Sequence, residues 1–506
     1  MLLLTGALTS KPYAFTSRPW ELRSVQSIDT LDGIGSNIRV DFKESEVLRI
    51  LPRKNPEVNE NWISDKIRFF YDGLKRQRLT SPYIKTNGEL RPIKWKKAIS
   101  KLSSLLKVYS FEYGPSKIGL LASSNIDLET IYSIRNFSNN YGFSFLGIDK
   151  ALKLNIDNPL NYRFQNSISD FEKTDLCLFI GTNPRFEAST LNLRLRKIFR
   201  KGNASFASIG GNFASTFPIN FLGLSPKILI SIAEGKHPLC KSLAQAENPK
   251  IILGSKLMER ADSTAVQDLL NELVSSFYTI FNKKLSVNLL HTESNTVGSF
   301  ELGINSFVKS DLAKCKILYT VGIDKPSFFD HNIKPTSSSI LIMQSSHGDK
   351  NTNKAALVLP SYTFVEKTGI YYNTEGRPQK TQRALIGPNL SREDWKIFRI
   401  LFHSLDKIAL FETKSQLITQ MSKILPSSYF ANSWFDTFSG NNQPTLFEFG
   451  SKNIGKIYKT SLKLFIEDFY MTSNLCQSSK TMAKASELLR SYSNNYKFLT
   501  WTSINK

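Results

Sequence analysis

Short apolar runs alternate with stretches of helical period along most of the chain, the pattern of parallel α/β layers. SKIGLLAS at 116–123 predicts a buried strand, DLETIYSIRNFSNNYG the following helix, and FSFLGID the next strand. TDLCLFIG repeats the theme, leading through TNPR into a helix over EASTLNLRLRKIFRK and a strand at SFASIG. NPKIILGS, with a helix near STAVQDLLNELVSSF, and then CKILYTVG and SSSILIMQ extend it. The fold class expected is α/β with two Rossmann-like layers. SREDWKIFRILFHSLDKIAL and the segment from Ser478 read as helices of a C-terminal region.

Composition narrows the function classes. The 506 residues can bury a large core and fit about three domains by the usual size prior. With 41% hydrophobic residues and a mean hydropathy of −0.23, the chain reads as soluble and globular. No apolar run approaches the roughly 20 residues needed to cross a bilayer, and the opening MLLL is too short for a secretory signal. The net charge of +23 raises the question of nucleic acid, but Lys and Arg are dispersed, with only short runs such as RLRKIFRK. Neither an RNP-like nor a zinc-finger signature accompanies them, so a solvated basic surface is expected and no nucleic-acid partner. Cys177, Cys240, Cys315 and Cys476 are too scattered for a zinc knuckle, a redox pair or a disulfide scaffold. Cys177 and Cys315 read as core or strand-edge residues, and His347 in SSHGD as a loop residue.

Three loops carry candidate chemistry. GTNPR joins a strand to a helix, with Asn183 and Pro184 as N-cap and first helical position and Glu187 in the first turn. An open α/β sheet holds phosphate or nucleotide groups at such a place, which makes Asn183 and Arg185 vestigial cofactor candidates. LDGIGSNI lacks the third glycine of a dinucleotide motif and precedes the strand-like IRV, so that reading is rejected. In YYNTEGRPQ, Asn373, Glu375, Gly376 and Arg377 form a polar turn in which Arg377 can pair with a carboxylate.

Long stretches resemble one family. SRPWELRSVQSIDTLDGIGSNIRV and EVLRILPRKNPEVNENWISDKIRFFYDGLKRQRLTSPYI, then FIGTNPRFEA, EKTGIYYNTEGRPQKT and FYMTSNLCQSSKTMAK, are similar, in order, to the molybdopterin-oxidoreductase-like region of the large iron–sulfur subunit of respiratory complex I. The resemblance implies a trailing edge of a ferredoxin-like domain at 1–15 and a degenerate 4Fe–4S domain of the Mo/W bis-MGD type at 16–72. It further implies α/β regions at 73–245 and 246–390 and a helical tail at 391–506. The family's cluster frame, Cys-x2-Cys-x3-Cys-x27-Cys, falls on Asp29, Asp32, Ser36 and Ser64, hard oxygen ligands in place of thiolates. The implied metal content at those positions is none.

The family's opening CPVGALTSKPYAF appears as MLLLTGALTSKPYAF, with Leu3 where a cluster cysteine would stand. The expectation is a split subunit whose cluster-bearing half is another polypeptide; an incomplete sequence is the alternative. The resemblance thus implies a non-catalytic structural subunit of complex I on the matrix side of the mitochondrial inner membrane, without a catalytic site, cofactor or membrane span of its own. FMN and iron–sulfur clusters would sit in partner subunits, namely a separate ferredoxin-like chain and the NADH-oxidising flavoprotein module. An active molybdenum or tungsten oxidoreductase of the formate dehydrogenase type is the alternative. Phe469, Tyr470, Met471 and Met482 are the expected anchors to neighbouring subunits, and Trp62 is a candidate buried residue of the small domain.

Overall fold

A computed structural model describes residues 10–202, 204–211, 213, 215–323, 339–407, 409–425, 457–458, 460–462 and 468–495. The first strands form a small antiparallel sheet of β1 (Arg23–Ile28), β2 (Asn37–Lys43) and β3 (Glu46–Pro52), followed by the short helix α1 (Asp65–Phe69). Alternation along β2 and β3 puts Ile38, Val40, Val47 and Ile50 on one face, where they pack with Ile67 and Phe70.

Two larger sheets follow. The first is built from β4 (Tyr83–Thr86), β5 (Glu89–Pro92), β6 (Ile118–Ala122), β7 (Phe145–Ile148), β13 (Ile317–Val321), β14 (Ile340–Ser345) and β15 (Leu357–Pro360). These seven strands lie in the order β5-β4-β15-β14-β13-β6-β7. The second is built from β8 (Leu176–Ile180), β9 (Ser205–Ile209), β10 (Asn220–Gly223), β11 (Pro249–Gly254) and β12 (Ser286–Leu290), five strands in the order β10-β9-β8-β11-β12. Its pairings are parallel throughout, as are those of the larger sheet outside the β4–β5 hairpin and its junction with β15. The runs IGLLA, LCLFI and ILYTV are buried at every position because helices cover both faces, the condition under which a strand reads as continuous apolar sequence.

The five-stranded sheet is an insertion between β7 and β13, so the seven-stranded sheet draws strands from both sides of residue 245 and the sheets do not divide there. Period 2 and period 3.6 identify strands and helices but carry no information on which strands share a sheet across about 170 residues. One core nevertheless spans both sheets, joining Ile118 and Leu120 of β6 to Leu178 and Ile180 of β8 and Ile251 of β11.

Helix α2 (Trp95–Tyr113) and helix α3 (Leu128–Tyr141) flank the larger sheet, and α3 is capped by Asp127 at one end and by the left-handed Gly142 at the other. The Asp394–Ser404 helix packs on α3 through Phe398 and Phe402 against Phe137, with ring centroids 5.6 and 5.3 Å away. The Lys480–Asn495 helix returns to the small domain, where Leu475, Cys476 and Met482 join the core of Ile67, Phe70 and Leu74. A two-stranded ribbon of β16 (Ile370–Tyr372) and β17 (Pro378–Lys380) carries the NTEGR turn.

Candidate functional site

The order in which strands are added reverses between β8 and β11 in one sheet and between β6 and β13 in the other, and the carboxyl ends of strands at such reversals are where open α/β sheets bind ligands. Both reversals open onto one cavity of about 1190 Å³. Asn125 and Ile126 line it beyond β6, Phe186 and Glu187 beyond β8, Lys256 beyond β11, Glu293 beyond β12 and Gly322 beyond β13. The small domain contributes Asp32 and Lys66, and the C-terminal segment Met471, Thr472 and Leu475.

Most charged groups around the cavity are held by each other. Lys150 lies 2.6 Å from Glu293 with both side chains buried. Lys367 pairs with Asp127 and, at 2.9 Å, with Asp394; burial opposes its charge, but these carboxylates keep its pKa well above the ordinary lysine value. Arg78 grips Glu366 with two bonds of 2.6 and 2.7 Å. Glu187 receives a hydrogen bond from the Thr182 hydroxyl, yet burial pushes its pKa up to about 7. The sequence reading takes Glu187 as an anion favouring the helix dipole; in the structure burial shifts this carboxyl towards its neutral form.

The GTNPR loop forms as its residues suggest. Asn183 accepts a hydrogen bond from the Arg185 N–H at 3.1 Å and caps α4 (Pro184–Glu187). The helix breaks at Ala188 before α5 (Ser189–Arg200) begins. Gly181 takes φ = 57°, and a side chain on Gly254 would meet its carbonyl oxygen at 2.3 Å, so the loop is closely backed by the next strand. Arg185 is exposed and is not among the residues lining the cavity; its guanidinium lies 5.8 Å from the Phe186 ring. Phe186 in turn stacks on Phe469 at 5.7 Å.

The frame positions are all buried. Asp29 and Asp32 lie in the β1–β2 loop, which the Asp29 N–H closes onto the Ser36 carbonyl at 2.8 Å. One oxygen of Asp29 accepts from the Leu31 N–H at 2.7 Å; the other has no hydrogen-bond partner among the described residues. Asp32 accepts from the N–H groups of Ile34 and Gly35 at 3.0 and 3.3 Å. Burial raises both carboxyl pKa values; Asp32 raises Asp29 further, while Lys66 opposes the rise at each. Lys66 itself donates to the Leu31 carbonyl at 2.7 Å and to the Thr472 hydroxyl at 3.2 Å. Ser36 donates to the Thr190 hydroxyl at 3.4 Å, and Ser64 caps α1 by accepting from the Ile67 N–H.

Two motifs that looked separate in the sequence are in contact. The Gly33 carbonyl accepts from both the N–H and the hydroxyl of Thr374, at 2.8 and 2.6 Å, and Asn373 donates to the Ile34 carbonyl at 3.1 Å. Glu375 is held by Arg377 at 2.9 Å and by the Ile168 N–H at 2.8 Å, and Arg377 also pairs with Glu57. A side chain on Gly33 would meet the His291 carbonyl oxygen at 2.2 Å, so the loop tolerates only glycine there. Sequence reasoning also missed Lys66 and Lys367, whose role comes from partners distant in sequence.

Other expectations change with packing. Trp62 is 56% exposed, because it sits at the rim of a turn closed by Asn55 and Glu60 rather than under the small sheet. Phe469 and Met482 are buried within this chain and Tyr470 and Met471 pack on the same core, so their apolar character is satisfied internally. His347 is buried, touches the Gly73 carbonyl at 3.2 Å, and has its pKa lowered to about 3, first by burial and then by Arg78.

This architecture, two interleaved Rossmann-like layers fronted by a small iron–sulfur-type domain, is that of the molybdopterin oxidoreductases. Residues 78–403 match the family described as molybdopterin oxidoreductase, and residues 22–72 match the NADH-ubiquinone oxidoreductase NDSU1/NuoG-like 4Fe-4S domain. Acetylene hydratase from Pelobacter acetylenicus shares the fold, with a TM-score of 0.55 and 12% identity over 75% of this chain and 69% of that one. The chain is 37% identical to the NADH-ubiquinone oxidoreductase 75 kDa subunit of Reclinomonas americana over 96% of its length and 71% of the relative. It is 37% identical to the mitochondrial NADH-ubiquinone oxidoreductase 78 kDa subunit of Candida albicans, over 95% of its length and 66% of the relative. Against the corresponding 78 kDa subunit of Neurospora crassa the identity is 36%, over 95% of this chain and 64% of the relative. The chain belongs to this family of complex I 75/78 kDa subunits.

That membership corrects one expectation. A chain whose residues 22–72 match a 4Fe-4S domain is expected to carry a cofactor, so the reading of no cofactor in this chain is withdrawn. The frame residues themselves do not fit a thiolate-held cluster: Asp29, Asp32, Ser36 and Ser64 offer hard oxygens, and the two hydroxyls are already engaged by Thr190 and the Ile67 N–H. Among the described residues no group of three or more His, Cys, Asp or Glu side chains is arranged to hold a metal. The cavity does not suit a phosphate-bearing pterin either, since six carboxylates (Asp32, Glu187, Glu293, Asp349, Asp394, Asp468) face it with four lysines and one arginine.

Proposed function

We propose that this chain acts as a structural subunit of the peripheral arm of respiratory complex I, in the mitochondrion and on the matrix side of the inner membrane. The observation that carries the reading is the internal pairing at the strand ends. Lys150 with Glu293, Lys367 with Asp127 and Asp394, and Arg78 with Glu366 spend on one another the charges that a catalytic cleft would aim at substrate. No helix among the described residues is long and apolar enough to cross a membrane, which accords with a peripheral position.

The partners proposed are a ferredoxin-like iron–sulfur module and the NADH-oxidising flavoprotein module. Phe15 and Trp20, large apolar side chains left exposed beside the small domain, are the contact proposed for the former. In this reading the chain braces those modules so that electron transfer from NADH to quinone proceeds over fixed distances. The test is to exchange Phe15 and Trp20 for Ser together. Loss of the iron–sulfur module from the isolated complex is expected, and full retention of it would overturn the assignment of that face.

A further inference from the structure

We propose that the β1–β2 loop and the start of α1, where the family's cluster frame falls, form a site for one singly charged cation held by oxygen ligands. The frame residues do not suit a thiolate-held cluster, yet they gather buried oxygens that need a partner. The bond from the Asp29 N–H to the Ser36 carbonyl, at 2.8 Å, continues the β1–β2 register, in which Ser27 lies opposite Ile38 and Ile28 opposite Asn37. Opposed residues of an antiparallel pair share a face, and alternate residues along a strand return to it. Ser27, Asp29 and Ser36 therefore follow the face of Ile38, which packs with Ile67 of α1. Ser64 stands at the N-cap of that same helix.

Two of these side chains lack a hydrogen-bond partner among the described residues. Asp29 is 0% exposed and its Oδ2 accepts no hydrogen bond; Ser27 is 2% exposed and its Oγ makes none. A buried polar atom left in this way costs stability unless something outside the chain meets it. The hydroxyls of Ser36 and Ser64 each make one bond, to Thr190 at 3.4 Å and from the Ile67 N–H at 3.3 Å. A hydroxyl oxygen has two lone pairs, so each still has one to offer. Asp32 uses one oxygen, Oδ1, for the N–H groups of Ile34 and Gly35. It also lines the large cavity, which gives an ion a way in.

Charge decides which cation fits. Asp32 and Lys66 both act electrostatically on Asp29, and Lys66 is itself buried, its ammonium bonded to the Leu31 carbonyl and the Thr472 hydroxyl. One ammonium set against two carboxylates leaves one negative charge over. A singly charged ion makes the group neutral, whereas a divalent ion leaves an excess positive charge among buried residues, which is costly. The ligands offered are carboxylate and hydroxyl oxygens, with no thiolate or imidazole among them, a hard set that suits an alkali ion and not iron–sulfur. Held there, the ion ties the β1–β2 loop to the start of α1.

The experiment is denaturant unfolding of the full chain at constant ionic strength in choline, potassium, sodium, rubidium, magnesium or calcium chloride, with equilibrium dialysis against rubidium. An alkali ion should stabilise the chain relative to choline, the folding equilibrium rising about ten-fold for each ten-fold rise in free ion above its dissociation constant. Dialysis should find one rubidium per chain. Asp29→Asn keeps the oxygen that accepts from Leu31 and should abolish rubidium binding. Ser27→Ala removes an unpartnered hydroxyl, so stability in choline should hold or rise while rubidium affinity falls about ten-fold. Equal stability in choline and in every alkali salt, the result that a trapped water or a proton on Asp29 gives, overturns the site. So does a response to magnesium or calcium alone, rubidium binding that survives in both variants, or a 4Fe–4S absorption that Asp29→Asn removes. The site does not depend on the reading of the chain as a structural subunit, and its failure leaves that reading untouched.

Discussion

Replacing Lys367 with Met removes the cation at the centre of the buried charge cluster while keeping the side chain's apolar bulk. In the native chain Lys367 bridges Asp127, the N-cap of α3, and Asp394, the first residue of the Asp394–Ser404 helix, so it pins the starts of two helices that pack on each other. Asp394 also accepts from Gln344 at 2.6 Å, and Gln344 accepts from the Tyr319 hydroxyl at 2.5 Å. Without Lys367 two buried carboxylates are left beside each other with no cation between them. Removing one partner of a buried ion pair typically costs about 3 to 5 kcal/mol. At about 1.4 kcal/mol per factor of ten, that is a shift of about two to three and a half powers of ten in the folding equilibrium. Adding Asp394→Asn to Lys367→Met removes one of the stranded charges and should return about 1 to 2 kcal/mol, a coupling expected of groups in contact. Denaturant unfolding of the isolated chain, compared with its abundance in the assembled complex, provides the assay. A loss below about 1 kcal/mol for Lys367→Met, the range of an ordinary surface change, would refute the view that this cluster holds the two helices.

Glu187 sets a pH dependence. Its pKa is raised from 4.5 to about 7 in the folded chain, so its contribution to stability is present in full below pH 4.5 and is lost as pH rises through 7, by an amount on the order of 1 to 3 kcal/mol. Glu187→Gln should flatten that part of the stability profile; because burial also holds Glu129 at about 7, part of the slope should persist. Gly33→Ala drives a methyl group into the His291 carbonyl and should cost about 1 to 3 kcal/mol, with faster hydrogen exchange at Thr374, whose N–H bonds to Gly33. Leu475→Ala should cost about 2 to 5 kcal/mol and loosen the small domain, whereas Trp62→Ala, at an exposed rim, should stay within about 0.5 kcal/mol in the isolated chain. Equal losses at these two sites would contradict the packing described.

The strands and helices were legible because their signals are local. TDLCLFIG and CKILYTVG are apolar runs of strand length, and Asn183 followed by Pro184 is a helix start that forms as read. Sheet membership was not legible, since nothing in β7 announces that β13, about 170 residues later, belongs to its sheet and that five strands intervene elsewhere. The same limit governed the site. Asp29 and Asp32 could be picked out by spacing, but the neutralising neighbour Lys66 and the contact between Gly33 and Thr374 depend on tertiary proximity. Trp62 and Met482 show burial following position in the fold rather than residue type: the tryptophan lies at an exposed rim, and the tail methionine fills a core. The cofactor question turned on relatedness that residue types at four positions did not convey.

The most direct measurement of the central claim is native isolation of the tagged chain, with subunit identification by mass spectrometry and an in-gel assay of NADH oxidation. The account predicts that the chain migrates in one large assembly with the NADH-oxidising flavoprotein and the iron–sulfur subunits in equal numbers, and that the NADH-oxidising band contains it. Migration of the chain apart from every NADH-oxidising species would contradict the account.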